Sequence, residues 1–142
     1  MSFRSDFYEY LKADVGLSAL VSEKIYPFFV ADNTVARPYL TYVFLYNAPY
    51  YHMDSIGSVN ESMVDRANIQ FDIWGDTSKQ AIDVEAALRA ALSGFSGLMN
   101  GGTNVRRFMK QNELDNIEPP SDGSNEPEYR IIVDYQVWYN NT

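Results

Sequence analysis

The stretch ANIQFDIWGDTSKQAIDVEAAL, residues 67–88, joins a strand pattern directly to a helix pattern. Apolar and polar residues alternate in its first half, which predicts a strand with one buried and one polar face. Gly75 and Asp76 predict a turn, and Thr77 with Gln80 three residues later matches the capping box that begins a helix. The predicted buried face comprises Ala67, Ile69, Phe71 and Ile73. The predicted polar face, which includes the preceding arginine, comprises Arg66, Asn68, Gln70, Asp72 and Trp74.

The predicted helix carries an apolar stripe suited to packing on a sheet, and Gly94 marks its end. The segment GDTSK, residues 75–79, superficially resembles a phosphate-binding loop. It lacks the second glycine and the GK[ST] spacing, so we assign it to the helix cap. The stripe consists of Ala81, Val84, Leu88, Ala91 and Leu92.

The closing run YRIIVDYQVWYN, residues 129–140, repeats the strand alternation. A further strand is predicted for VRRFMKQNE, residues 105–113. Between them, the acidic and proline-containing run from Asn112 to Glu128 predicts a long exposed loop. One face of the closing strand comprises Tyr129, Ile131, Val133, Tyr135, Val137 and Tyr139, and the other largely Arg130, Asp134, Gln136 and Trp138.

The amino-terminal region predicts a helix followed by a short second helical turn. Ser5 or Asp6 is expected to cap the helix, and Gly16 to end it before the turn at Leu17–Val21. The apolar positions of this helix are Phe7, Leu11 and Val15.

Two aromatic-rich segments follow. IYPFFV, from Ile25, predicts a short strand, and Pro27 places it at a sheet edge or a strand start. YLTYVFLYNAPYY, residues 39–51, is dense in aromatic and β-branched residues on both faces. It predicts a strand covered on both sides, or an edge strand that meets another chain.

These elements together predict an α+β fold, with a mostly antiparallel sheet of about four to five strands and two helices packed on one face. The length is that of one ordinary domain. We therefore expect a single domain over residues 1–142, with exposed loops near 48–64 and 112–128.

Composition excludes several classes of function. The net charge is -8, and six of the 19 acidic residues lie between Asn112 and Glu128 without a lysine or arginine among them. A nucleic-acid-binding protein needs a basic stripe, so we expect no direct sequence-specific nucleic-acid binding. The chain has no cysteine, which excludes disulfides, thiolate metal sites and a cysteine nucleophile.

The sequence also argues against membrane insertion. No stretch approaches the roughly 18 apolar residues of a membrane helix, and the opening MSFRSDFYEY lacks the features of a signal peptide. We therefore expect a protein that stays in the compartment where it is made.

Few residues suggest catalysis or metal binding. His52 is the only histidine; with Asp54 it could bind a metal weakly, but an exposed loop histidine is the favoured interpretation. Asp72 and Asp134 could act as a general acid and base if neighbouring strands set their carboxylates about 5 to 10 Å apart. Charges on a solvent-facing strand surface are more common, so we expect no catalytic, cofactor-binding or metal-binding residues.

The aromatic residues favour a protein interface. Alternation places Trp74 and Trp138 on the polar faces of their strands, where a monomer would expose them to water, and tryptophan is enriched at interface anchors. A second covering element within the chain would explain them equally well. The predicted interface residues are Trp74, Trp138, Tyr42, Phe44, Tyr46, Arg130 and Asp134.

The order of four segments resembles the small tail-completion proteins of long-tailed bacteriophages, which include tail terminators and head-tail joining proteins. IYPFF, PYLTY, QFDIWG and VDYQVWY carry most of the resemblance, which spans nearly the whole chain. It implies an α+β fold and a structural, non-enzymatic role. Family members form a ring, typically of six subunits, that ends the tail tube and joins it to the head connector.

The resemblance also implies partners and a location. The chain would contact itself, the tail tube protein and a head connector or neck protein, in the virion at the head-tail junction and in the bacterial host cytoplasm during assembly. The resemblance does not decide between a tail terminator and a neighbouring neck component. Two alternatives are an interaction adaptor of the bacterial cytosol and, less favoured, a small hydrolytic or ligand-binding domain that uses Asp72, Asp134 and His52.

Overall fold

A computed structural model describes residues 3–28, 36–50, 64–100, 102–118 and 128–140. Over these ranges the chain forms three helices and six strands. The helices are α1 (Phe3–Ala13), α2 (Val15–Val21) and α3 (Ser78–Leu92), and the strands are β1 (Ile25–Pro27), β2 (Tyr39–Tyr50), β3 (Val64–Gly75), β4 (Gly97–Met99), β5 (Thr103–Glu118) and β6 (Glu128–Asn140).

The strands form one curled, mixed sheet in the order β1-β2-β3-β6-β5-β4. β1 runs parallel to β2, and every other neighbouring pair is antiparallel. The central pair, β3 and β6, stays in register from Val64 opposite Asn140 to Gly75 opposite Tyr129. Unbroken register keeps side chains of equal parity on one face of the sheet.

The core lies between this central pair and the helices. The predicted buried faces of β3 and β6 are confirmed, because Ala67, Ile69, Phe71 and Ile73 face Val137, Tyr135, Val133 and Ile131 and all are buried. Phe7 of α1 packs edge-on against Tyr42 and stacks near Phe108, with ring centroids 5.4 and 5.8 Å away. The apolar stripe predicted for α3 is buried as well.

The expected sheet of four to five mostly antiparallel strands with two helices is wrong. Strand β4 lies in a glycine-bearing link and is too short to show a periodic pattern. The segment 112–118, expected to begin a loop, continues β5 because its backbone pairs with β6, while the side chains of Glu113 and Asp115 remain exposed. The parallel pairing of β1 with β2 has no local signature.

The expected boundaries at the amino terminus are also wrong. Helix α1 ends at Ala13, and Asp14 begins α2 by accepting a hydrogen bond from the Leu17 backbone N–H (3.0 Å). Gly16, the expected stop, lies inside α2, and Val15, expected on the buried side of α1, is exposed. An aspartate at the helix start outweighs the propensity of the following glycine to end a helix.

Asp6 does not cap α1 but ties it to the sheet. Its side chain is 1% exposed, and its Oδ2 accepts hydrogen bonds from the Thr103 N–H (2.9 Å) and Oγ1 (2.6 Å). A Cβ on Gly102 would lie 2.5 Å from the same oxygen, so this glycine is required by close approach. The contact fixes the start of β5 under α1.

The cap predicted for α3 is confirmed. Thr77 accepts a hydrogen bond from the Gln80 N–H (3.2 Å), and the Gln80 side chain accepts one from the Asp76 N–H (2.8 Å). The GDTSK segment therefore satisfies backbone donors of its own helix.

We predict that Asp6→Ala lowers the free energy of unfolding by about 1–3 kcal/mol, because Thr103 loses its acceptor in a buried site. Urea unfolding measures the change. Glu9→Ala, at an exposed position of the same helix, is the control and should change stability by less than about 0.5 kcal/mol. Equal effects of the two substitutions would show that the hydrogen bonds between Asp6 and Thr103 do not hold α1 on the sheet.

Candidate functional site

The helices pack on one face of the sheet, and we call the opposite face the open face. Its central part consists of alternate residues of β3 and β6, each of them half-buried. In the described part of the chain, no helix packs on this face. The central residues are Arg66, Asn68, Gln70, Asp72 and Trp74 on β3, and Arg130, Ile132, Asp134, Gln136 and Trp138 on β6.

One end of the open face carries an aromatic and cationic cluster. Tyr39 stacks on Trp74 with ring centroids 6.1 Å apart, and the Arg130 guanidinium lies 4.8 Å from the Trp74 ring centroid. Arg130 also binds Asp72 at 3.0 Å. Burial, which is the largest cause, raises the pKa of Tyr39 above its usual value, so this phenol is neutral near pH 7.

The other end carries a second cluster, centred on Arg66. Its guanidinium lies 5.7 Å from the Tyr46 ring centroid and 5.6 Å from that of Trp138. A bulge at Leu45 brings Tyr46 to this face, since the pairing shifts from Phe44 opposite Ile69 to Tyr46 opposite Asn68. Each tryptophan ring therefore lies within the range of a cation–π interaction with an arginine.

A polar row connects the two clusters. The Oδ1 atoms of Asn68, Asp72 and Asp134 and the Nε of Arg66 are buried and have no hydrogen-bond partner within the described residues. A buried polar atom without a partner costs about 1–3 kcal/mol. The side chains as a whole are half-buried, so a partner would contact their exposed parts and not these atoms.

The structure separates the predicted interface residues into two groups. Trp74, Trp138, Tyr46, Arg130 and Asp134 share the open face. In contrast, Tyr42 and Phe44 point toward the helices, where Tyr42 is 5% exposed and Phe44 packs beside Phe7. Their role at an interface stays a prediction.

Sequence reasoning placed Arg66 on the polar face but missed its role, and it missed Tyr39. The signal for Arg66 was its position opposite Trp138, which becomes visible only when the pairing of β3 with β6 is known. Tyr39 was predicted as the first residue of a strand, but its stacking partner lies on the next strand, so its role becomes visible only when the pairing of β2 with β3 is known.

Asp72 and Asp134 do lie on neighbouring strands and on the same face. Asp72 is opposite Ile132 and Asp134 is opposite Gln70, so the two aspartates are diagonal neighbours. The carboxylate of Asp72, however, is held by Arg130. This arrangement makes Asp72 half of an ion pair.

His52 lies outside the described residues, as do Asp54 and Tyr51. Over the described ranges, no three or more histidine, aspartate or glutamate side chains are grouped as a metal site would require. None of the described helices has the length and apolar character needed to cross a membrane.

Comparisons with known proteins identify a shared fold. No family model matches the chain, and no curated protein matches it. A chain in the virion of a native gene transfer agent particle aligns over 99% of this chain and 96% of its own length, with 16% identity and a TM-score of 0.68. A second solved protein, whose name states no function, aligns over 98% and 93% of the two chains, with 15% identity and a TM-score of 0.58.

We predict that Asp72 and Arg130 are energetically coupled by about 0.5–1 kcal/mol, since the pair is partly buried and well aligned. A double-mutant cycle with Asp72→Asn and Arg130→Gln, followed by urea unfolding, measures the coupling. The same cycle for the exposed helical pair Lys79 and Asp83 should give a smaller value. Strict additivity at Asp72 and Arg130 would show that the ion pair contributes nothing to stability.

Proposed function

We propose that this chain is a structural subunit of a phage-like virion. In this proposal it forms a ring at the head-tail junction that ends the tail tube and joins it to the head connector. Support comes from the fold, which matches a virion chain of a gene transfer agent particle over nearly the full length of both proteins. The order of the four segments that resemble tail-completion proteins supports the same role independently of the fold.

The observation that carries the proposal is the chemistry of the open face. It combines two half-buried tryptophans, each with an arginine near its ring, and a row of half-buried polar side chains between them. Interfaces are enriched in tryptophan, tyrosine and arginine, and their hot spots are fully desolvated in the complex. We assign this face to the contact with another virion component, the tail tube protein or the head connector.

The alternatives predict other properties. A hydrolytic domain would need an available carboxylate pair, whereas Asp72 is bound by Arg130. A cytosolic adaptor would use the same open face but would have no need to assemble with itself. Self-assembly into a closed ring therefore separates a virion subunit from an adaptor.

The ring is tested by light scattering and native mass spectrometry over a range of protein and salt concentrations. We expect a closed oligomer, with six subunits as the expected number, and a ring with a central opening in electron micrographs. A protein that remains monomeric at every concentration would contradict a self-assembling ring and favour the adaptor.

We also predict that Trp74→Ala and Trp138→Ala impair binding to the tail tube or the head connector more than folding. Each tryptophan is only half-buried in the single chain, so its loss should lower the free energy of unfolding by no more than about 2 kcal/mol. An anchor at a contact surface should in addition weaken association by roughly tenfold or more.

Thermal unfolding and co-sedimentation with purified tail tubes or head connectors are measured on both variants. Val15→Ala, on the exposed side of α2, is the apolar control and should leave this binding unchanged. If the loss of binding merely follows the loss of melting temperature, the open face is not the contact surface.

A further inference from the structure

At each edge of the sheet, a short outer strand pairs with only part of the long strand next to it. β1 pairs with Leu40–Tyr42 of β2, and β4 pairs with Thr103–Val105 of β5. Among the described residues, no strand pairs with the outer side of β2 from 43 to 50 or of β5 from 106 to 118. We call these segments the β2 edge and the β5 edge. Unpaired edges of this length can take up a strand from another chain.

The two edges are complementary in direction and position. β2 is antiparallel to β3, β3 to β6, and β6 to β5, so β2 and β5 run in opposite directions. The part of β2 that pairs with β1 and the part of β5 that pairs with β4 lie at opposite ends of the sheet. The β2 edge and the β5 edge therefore also lie at opposite ends. A second copy placed beside the first can therefore pair its β2 edge with the β5 edge in antiparallel fashion.

We propose that successive copies of this chain join edge to edge, with the β5 edge of one copy hydrogen-bonded to the β2 edge of the next. The inference rests on the proposed ring and names its subunit contact. Each copy has one edge of each kind, so the contact is heterologous and each copy offers its second edge to a further copy. The open face then remains available for another virion component.

Charge selects the register of this contact. Arg4 of α1 stands beside the β2 edge, with its guanidinium 4.3 Å from the Phe44 ring centroid. Asp115 is exposed on the β5 edge and lies on the helix side of the sheet, opposite Ile131. Glu113, the other acid on that side, is already bound by Lys110, which holds the pKa of its carboxyl below the usual value. Placing Asp115 level with Phe44 brings it to Arg4.

The same register matches two exposed apolar residues. When Phe44 is level with Asp115, antiparallel pairing sets Leu45 level with Leu114. Leu45 is 50% exposed and Leu114 is 56% exposed in the single chain. One register therefore satisfies an ion pair and buries two leucines, which favours a second copy of this chain as the occupant.

A groove beside the β2 edge offers room for side chains of the incoming strand. It has a volume of about 320 Å³ and is lined mainly by aromatic and aliphatic side chains. Phe28, which is 63% exposed, forms part of its wall. Bulges in β2 and β5 strengthen the local twist and curl the sheet, as closure into a ring of sheets requires.

Disulfide trapping tests the contact directly, because the chain has no cysteine of its own. Leu45→Cys and Leu114→Cys chains are mixed in equal amounts and oxidised with copper phenanthroline. We expect a disulfide between the two variants, formed roughly fivefold or more faster than in a mixture of Leu45→Cys with Val15→Cys. Val15 is more exposed than either leucine but lies on α2.

Each outcome decides the proposal when native mass is measured on the same samples. Equal rates in the two mixtures overturn edge pairing, and so does a Leu45→Cys homodimer that forms as fast as the mixed dimer. A closed oligomer without the selective disulfide rejects the edge contact alone. A selective disulfide in chains that never close into a ring supports the edge contact and rejects the ring.

Charge reversal tests the register. Arg4→Glu should slow the selective disulfide roughly two- to fivefold, and adding Asp115→Arg should restore the rate. Lys12→Glu, which changes the net charge equally on the same helix, is the control and should leave the rate unchanged. Failure of Asp115→Arg to rescue Arg4→Glu would overturn the register.

Discussion

The antiparallel pairing of β3 with β6 is the constraint on which the rest of the structure depends. Its register runs without a break from one end of the pair to the other, so the four residues from Ala67 to Ile73 that face the helices each meet a buried core residue of β6. The same register places Arg66 opposite Trp138 and Trp74 opposite Arg130 on the other side. One pairing therefore creates both the core and the open face.

The edges depend on this centre as well. β2 and β5 each extend beyond the short strand outside them, and bulges let both follow the curl of the sheet. Asp6 fixes α1 over the start of β5 through Thr103, although 97 residues separate the two in sequence. The described chain therefore has one sheet face covered by helices, one open face and two edges of opposite direction, which suit the proposed assembly subunit.

The sequence predicted what has a strong local period. Strands β3 and β6 alternate because only one face of the sheet is covered, and α3 follows the spacing of its apolar stripe. Strand pairings whose residues show no regular apolar spacing were not predictable. They are β4, the parallel pair of β1 with β2, and the acidic end of β5. The bulge at Leu45, which moves Tyr46 to the open face while Tyr42 stays in the core, also has no local signature. In the sequence, Asp6 looks like a helix cap. Its actual partner, Thr103, is too distant along the chain to be recognised there.

Hydroxyl-radical footprinting of the tryptophans, read by mass spectrometry with and without purified tail tubes or head connectors, tests the central claim most directly. The chain has 2 tryptophans, and both lie on the open face, so their oxidation reports this surface alone. If the open face is the contact with another virion component, oxidation of both should fall several-fold when the protein binds that component. Unchanged oxidation in the bound protein would show that the open face stays in contact with solvent and would contradict the account.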